Sequence, residues 1–197
     1  MDFAPVSRYP PAAAGRPLIP LKLLVAGGFG VGKTTFVGTL SEIPPLSTEQ
    51  VMTALSVGVD DATAVPAKTT TTVAMDFGRI TIDEHLVLYL FGTPGQDRFW
   101  FMWDELARGA VGAVVLVDLR RLTDCFPSID YFEDRGIPFA VGINEFPGSP
   151  ECPEQTVRDA LTLSPDCPLI RMDARQARST LDTVIALVEH ALAHSSG

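Results

Sequence analysis

The sequence predicts an α/β protein of three layers, αβα, in which a mainly parallel sheet with one antiparallel strand lies between two sets of helices. Three observations predict it. A glycine-rich turn at residues 27–35 joins the apolar run 21–26 to a helix-like stretch ending near Leu40. Two continuous apolar runs, 112–117 and 138–143, read as strands covered on both faces. Helical patterns alternate with these runs, as connections between parallel strands require.

Taken in order, residues 1–20 contain Pro5, Pro10, Pro11, Pro17 and Pro20 among alanines, which disfavours helix and offers little to bury. They form a mobile N-terminal arm in this reading, and residues 21–195 form one domain. After the first strand, 21–26, a helix follows the glycine turn and is stopped by Ile43-Pro44-Pro45. Residues 46–72 make an unusually long connection, with a short helix possible over 48–55; connections of this length in compact domains are usually lids or switches. Strands at 73–82 and 86–91 flank a hairpin turn at Asp83-Glu84. Helices are expected around 98–108, 124–135, 156–161 and 179–193, and a short strand at 169–172.

Composition narrows the function. With 197 residues and 46% hydrophobic content there is material for one core. A net charge of −9 argues against non-specific nucleic-acid binding and against docking on an anionic membrane. Cys125, Cys152 and Cys167 lack the paired spacing of a zinc or redox motif, which fits a reduced, cytoplasmic compartment. Neither the Met1-Asp2 start nor the Ser195-Ser196-Gly197 end encodes a common lipid anchor, so no direct membrane anchor is expected, and membrane recruitment would come through a partner.

The glycine turn has the form G-x-x-x-x-G-K-[ST]: Gly27, Gly28, Phe29, Gly30, Val31, Gly32, Lys33, Thr34, Thr35. Backbone N–H groups of such a turn point at phosphate oxygens, and the following helix adds its positive end. Lys33 supplies a point charge for the β- and γ-phosphates, and Thr34 a hydroxyl for Mg²⁺. Nucleotide phosphate is the expected ligand, on a P-loop NTPase fold.

A second constellation, Gly92-Thr93-Pro94-Gly95-Gln96, falls where a strand ends beside that turn. Here the chain resembles Ras-like small GTPases, whose Asp-x-x-Gly-Gln motif senses the γ-phosphate and orients attacking water. Gly95 and Gln96 match, and Gly92 stands where the family has the Asp that anchors the metal. The resemblance implies Thr72, before Val73-Ala74-Met75-Asp76-Phe77, as the switch threonine on Mg²⁺. For the base, Asn144-Glu145-Phe146-Pro147 stands where the family has Asn-Lys-x-Asp, and Asp173-Ala174-Arg175 where it has Ser-Ala-Lys. The resemblance thus points to Asn144, Phe146, Asp173, Ala174 and Arg175 as base-side candidates, with Asp173 or Glu145 as substitutes for the absent guanine-reading carboxylate.

Residues 68–80, 88–96 and 124–127 are similar to the actinobacterial conservon GTPases of the CvnD type, more distantly related to the polarity GTPase MglA. That resemblance implies a GTP/GDP switch with Mg²⁺, a Roadblock-fold partner and a sensor histidine kinase-like protein. The residues leave two alternatives open: a nucleotide-bound scaffold that hydrolyses little, and an ATPase or nucleotide kinase, with Arg120-Arg121 then a lid instead of a solvated helix start. The aromatics Phe99, Trp100, Phe101 and Trp103 suggest either a docking surface or internal packing.

Overall fold

The computed structural model describes residues 18–44, 46–52, 71–95 and 102–195. Seven strands form one sheet in the order β2-β3-β4-β1-β5-β6-β7: β1 (Ile19–Gly27), β2 (Leu46–Met52), β3 (Thr71–Thr81), β4 (Leu86–Gly92), β5 (Gly112–Val117), β6 (Phe139–Asn144) and β7 (Leu169–Met172). β3 runs antiparallel to both neighbours, and the other pairings are parallel. One antiparallel strand in a parallel sheet is what the sequence predicts. The strand β2 is a correction: residues 48–52, expected as the start of a short helix, pair with β3 instead, Thr48 opposite Met75 and Met52 opposite Thr71. Pairing with a neighbouring strand overrode a weak local helix preference. The rest of that connection, 53–70, lies outside the described residues.

Period-two alternation along β1 divides the core between the two faces. Leu24 and Ala26 join Val115 and Val141 on one side, packed with Trp103, Ile129, Phe132 and Val157. Those residues come from α2 (Trp103–Ala107), α3 (Phe126–Asp134) and α4 (Glu154–Ala160). Leu23 and Val25 face Phe36, Val37, Val184 and Leu187 on the other, contributed by α1 (Lys33–Leu40) and α5 (Ala177–Ser195). Both β5 and β6 are buried along their whole length. Burying each large side chain contributes about 1.5–3 kcal/mol, so these two strands anchor the carboxyl ends where the loops converge.

The helix expected at 98–108 is described only from residue 102, with Trp103 and Leu106 buried. Trp103 packs edge-on against Tyr131, ring centroids 4.9 Å apart. The aromatics Phe99, Trp100 and Phe101, read as either a docking surface or internal packing, lie outside the described residues, as does the arm as far as residue 17. A 3-10 segment, Leu119–Cys125, precedes α3 and breaks at Arg121, which has non-helical backbone angles. No helix among the described residues is long and apolar enough to cross a membrane.

Candidate functional site

The turn after β1 folds back on itself through glycines that no other residue could replace. Gly32 has φ of +107°, and a Cβ there would lie 2.6 Å from Asn144 Nδ2. Gly27, at φ +129°, would place a Cβ 2.4 Å from the Leu116 carbonyl of β5. Side-chain-free backbone is thus required for the loop to sit this close to the sheet. Gly32 also caps α1, with no side-chain hydrogen bond to the helix N-terminus and no acidic residue in its first turn. The first N–H groups of α1 therefore have no capping side chain and suit an anion.

Lys33 reaches back over the loop, and its Nζ donates to the carbonyls of Gly27 at 2.9 Å and Gly28 at 2.7 Å. Burial pushes its ammonium down to about 8, against the opposing pull of Asp76. A cation held in partly desolvated surroundings is ready to gain from a phosphate. Gly95 crosses directly above: a Cβ on it would lie 2.6 Å from Lys33 Nζ and 3.2 Å from the Phe29 amide nitrogen. The segment after β4 thus lies against the phosphate loop, where Gly95 was expected. Gln96 lies outside the described residues. Beside Gly95, Thr93 is buried, its N–H bonded to the Val25 carbonyl at 2.8 Å. Its hydroxyl has no hydrogen-bond partner among the described residues.

Thr34 Oγ1 donates to Asp76 Oδ2 at 2.7 Å. A hydroxyl oxygen and a carboxylate side by side at the mouth of a phosphate loop are hard donors suited to Mg²⁺. No group of three or more His, Cys, Asp or Glu side chains disposed for a metal occurs among the described residues. Thr72 lies in β3, opposite Val51. Thr35 is exposed on the first turn of α1.

Asn144, at the end of β6, is 4% exposed and joins two loops. Its Nδ2 donates to the Val31 carbonyl at 2.9 Å, and its Oδ1 accepts from the Ala174 amide at 2.9 Å. Asn144 therefore ties the glycine-rich loop after β1 to the loop after β7. Asp173 is less available to a ligand than its position suggested. Its carboxylate accepts from Arg175 Nε and Nη2 at 2.8 Å each, from the Arg175 amide and from Gln176. Those bonds hold its carboxyl far below the ordinary carboxylate range. Glu145 is exposed, with Arg171 Nη1 4.0 Å away. Phe146 has one face covered by the Arg120 guanidinium, 4.2 Å from the ring centroid.

Several contributors escaped sequence reasoning. Asp118, buried at the end of β5, holds Arg120 through two hydrogen bonds at 2.9 and 2.7 Å. Arg121 is not simply a solvated helix residue: its Nη2 donates to the Phe29 carbonyl at 2.8 Å, and Asp124 lies 3.6 Å from its Nη1. The backbone break at Arg121 accompanies this reach into the phosphate loop. A buried-strand end followed by Asp-Leu-Arg-Arg was the available signal. Asp76 was visible only as part of a strand.

Comparison with known proteins bears on the family and the fold. The model of a family described as "Conserved hypothetical ATP binding protein" matches residues 25–194. The uncharacterized protein MJ1339 of Methanocaldococcus jannaschii is 31% identical over 127 residues, spanning 64% of this chain and 70% of that protein. Among solved structures, the FeoB G-domain from Methanococcus jannaschii superposes with a TM-score of 0.59 at 11% identity, covering 88% of this chain and 98% of that one. The cytosolic domain of the T. maritima FeoB iron transporter, in its apo form, gives a TM-score of 0.62 at 14% identity, covering 88% and 64%. At such identities the structural likeness is one of fold.

Proposed function

This chain belongs to the family of conserved hypothetical ATP-binding proteins, has the fold of a P-loop nucleotide-binding G-domain, and we propose that it is a nucleotide-dependent switch that hydrolyses GTP slowly. The observation that carries the proposal is the stacking of Gly95 on Lys33 over an uncapped helix N-terminus. A γ-phosphate bound there would meet the loop amides, Lys33 and the Gly95 backbone together, so its loss would free the Gly95 segment. Gln96, the next residue, is placed by this reading to orient water, and Thr34 and Thr72 to meet Mg²⁺. Guanine is supported by the likeness of the sheet to that of the FeoB G-domain. No arginine finger in cis is assigned, and a slow intrinsic rate is expected.

A second reading, ATP in place of GTP, has a specific observation behind it. Asp173 is occupied by Arg175 and the Ala174 amide by Asn144, so neither is free in this structure to read guanine. The family description names ATP as well. The resemblance to conservon GTPases further suggests a Roadblock-fold partner and a histidine kinase-like protein in a bacterial signalling system, with cytoplasmic location.

The test is to denature freshly purified protein, identify the released nucleotide by chromatography, and follow phosphate release over many turnovers. Guanine nucleotide, with turnover lost in Gln96→Leu, supports the GTPase switch. Retained GTP without phosphate indicates a scaffold, and adenine nucleotide replaces the base assignment.

A further inference from the structure

The β3–β4 pair carries an exchange of side chains between two facing positions. Asp76 and Gly92 are direct partners in the antiparallel register. A Cβ built on Gly92 would lie 3.0 Å from both Cβ and Oδ2 of Asp76, and 3.4 Å from its Cγ. The Asp76 carboxylate therefore fills the space that a side chain on Gly92 would take. From that space it accepts the Thr34 hydroxyl at 2.7 Å, at the first turn of α1. We propose that Asp76, reaching from β3 to the space above Gly92 of β4, is the carboxylate that anchors the nucleotide's divalent cation together with Thr34. The inference rests on the nucleotide-binding reading of the phosphate loop.

The other carboxylates around that loop are committed elsewhere. Asp118 is gripped by Arg120 through two hydrogen bonds, Asp124 lies beside Arg121, and Asp173 is held by Arg175. Asp76 instead accepts from a neutral hydroxyl, itself a hard oxygen donor. In P-loop NTPases a metal is shared between the loop Ser or Thr, one strand-end carboxylate and the phosphates. Strand β4 ends in glycine here, and the carboxylate arrives from the strand beside it.

The test uses the full chain loaded with a fluorescent GDP or ADP analogue, whichever it binds, and reads analogue release against free Mg²⁺, with Mn²⁺ linewidths by EPR as a direct metal readout. Asp76→Asn keeps an oxygen to accept from Thr34 but removes the charge. It is expected to raise the half-saturating Mg²⁺ by about tenfold or more, with release in excess chelator unchanged. The paired change Asp76→Gly with Gly92→Asp returns a carboxylate to the same space from the other strand. It is expected to restore the Mg²⁺ midpoint to within about threefold of wild type, and it decides the matter if Asp76→Asn does not fold. A midpoint unmoved by Asp76→Asn, or a folded paired variant with no recovered metal dependence, overturns the proposal. Wild-type protein that binds nucleotide without responding to Mg²⁺ or Mn²⁺ overturns it while leaving the nucleotide reading intact. Absence of any nucleotide binding removes that reading and this proposal with it.

Discussion

Asn144 and Ala174, thirty positions apart, are joined by a 2.9 Å hydrogen bond from the Ala174 amide to the Asn144 side chain. The same side chain holds Val31 of the phosphate loop. Removing it leaves a buried carbonyl and a buried N–H unpaired. Asn144→Ala is expected to lower stability by about 2–4 kcal/mol, measured by urea denaturation without ligand, and to weaken nucleotide binding. A loss below about 0.5 kcal/mol would mean that water replaces both bonds and the tie is not structural.

Lys33 predicts a pH dependence. Burial lowers its folded pKa to about 8 from the ordinary lysine value of 10.5. Between those values the unfolded chain binds more protons, so the ligand-free protein gains stability as pH rises through that window. Phosphate binding works the other way, since an anion raises the lysine pKa and draws in a proton. Affinity is expected to fall by up to about tenfold per unit above pH 8. Calorimetry at pH 8.5 in two buffers of different ionisation enthalpy should show net proton uptake, absent in Lys33→Met. Equal heats in both buffers would contradict it.

Arg121 fixes the outer wall of the phosphate loop through the Phe29 carbonyl. Arg121→Ala is expected to speed nucleotide release severalfold, about 1 kcal/mol for one partly exposed charge-assisted bond. Stopped-flow release of a fluorescent analogue reads this directly. An unchanged rate would reduce Arg121 to a surface charge.

Base selectivity follows from the engagement of Asp173. A free carboxylate reading guanine can be converted to xanthine recognition by amidation, whereas one already bonded to Arg175 cannot. Asp173→Asn is expected to leave the GTP-to-XTP affinity ratio within about twofold. A clear switch toward XTP in competition binding would show that Asp173 leaves Arg175 to read the base.

The phosphate half of this site was legible in the chain because its chemistry is local. Gly27, Gly32, Lys33 and Thr34 sit within eight consecutive residues, and the strand before them and the helix after them are forced by pattern. Lys33 and Gly95 meet as their motifs imply. What was not legible depends on strand register. Nothing local says that Asp76 faces Gly92, a pairing set by the β3–β4 hairpin, nor that Arg121 bends toward Phe29. The strand β2 was missed for a related reason, since its partner lies across a long connection and its own residues, Leu46–Met52, favour strand only weakly. The bonds that hold Asp173 were not legible because its partner Arg175, two residues on, reads equally well as a solvated charge.

The central claim is that residues 27–35 bind nucleotide phosphate through Lys33. Its most direct test is titration of nucleotide-stripped protein with GDP and ADP in the presence of Mg²⁺, beside Lys33→Met. The account predicts saturable binding, tighter for GDP than for ADP, and lost in Lys33→Met with the melting transition retained. Folded wild-type protein that binds neither nucleotide, or a Lys33→Met variant that binds as wild type does, would contradict it.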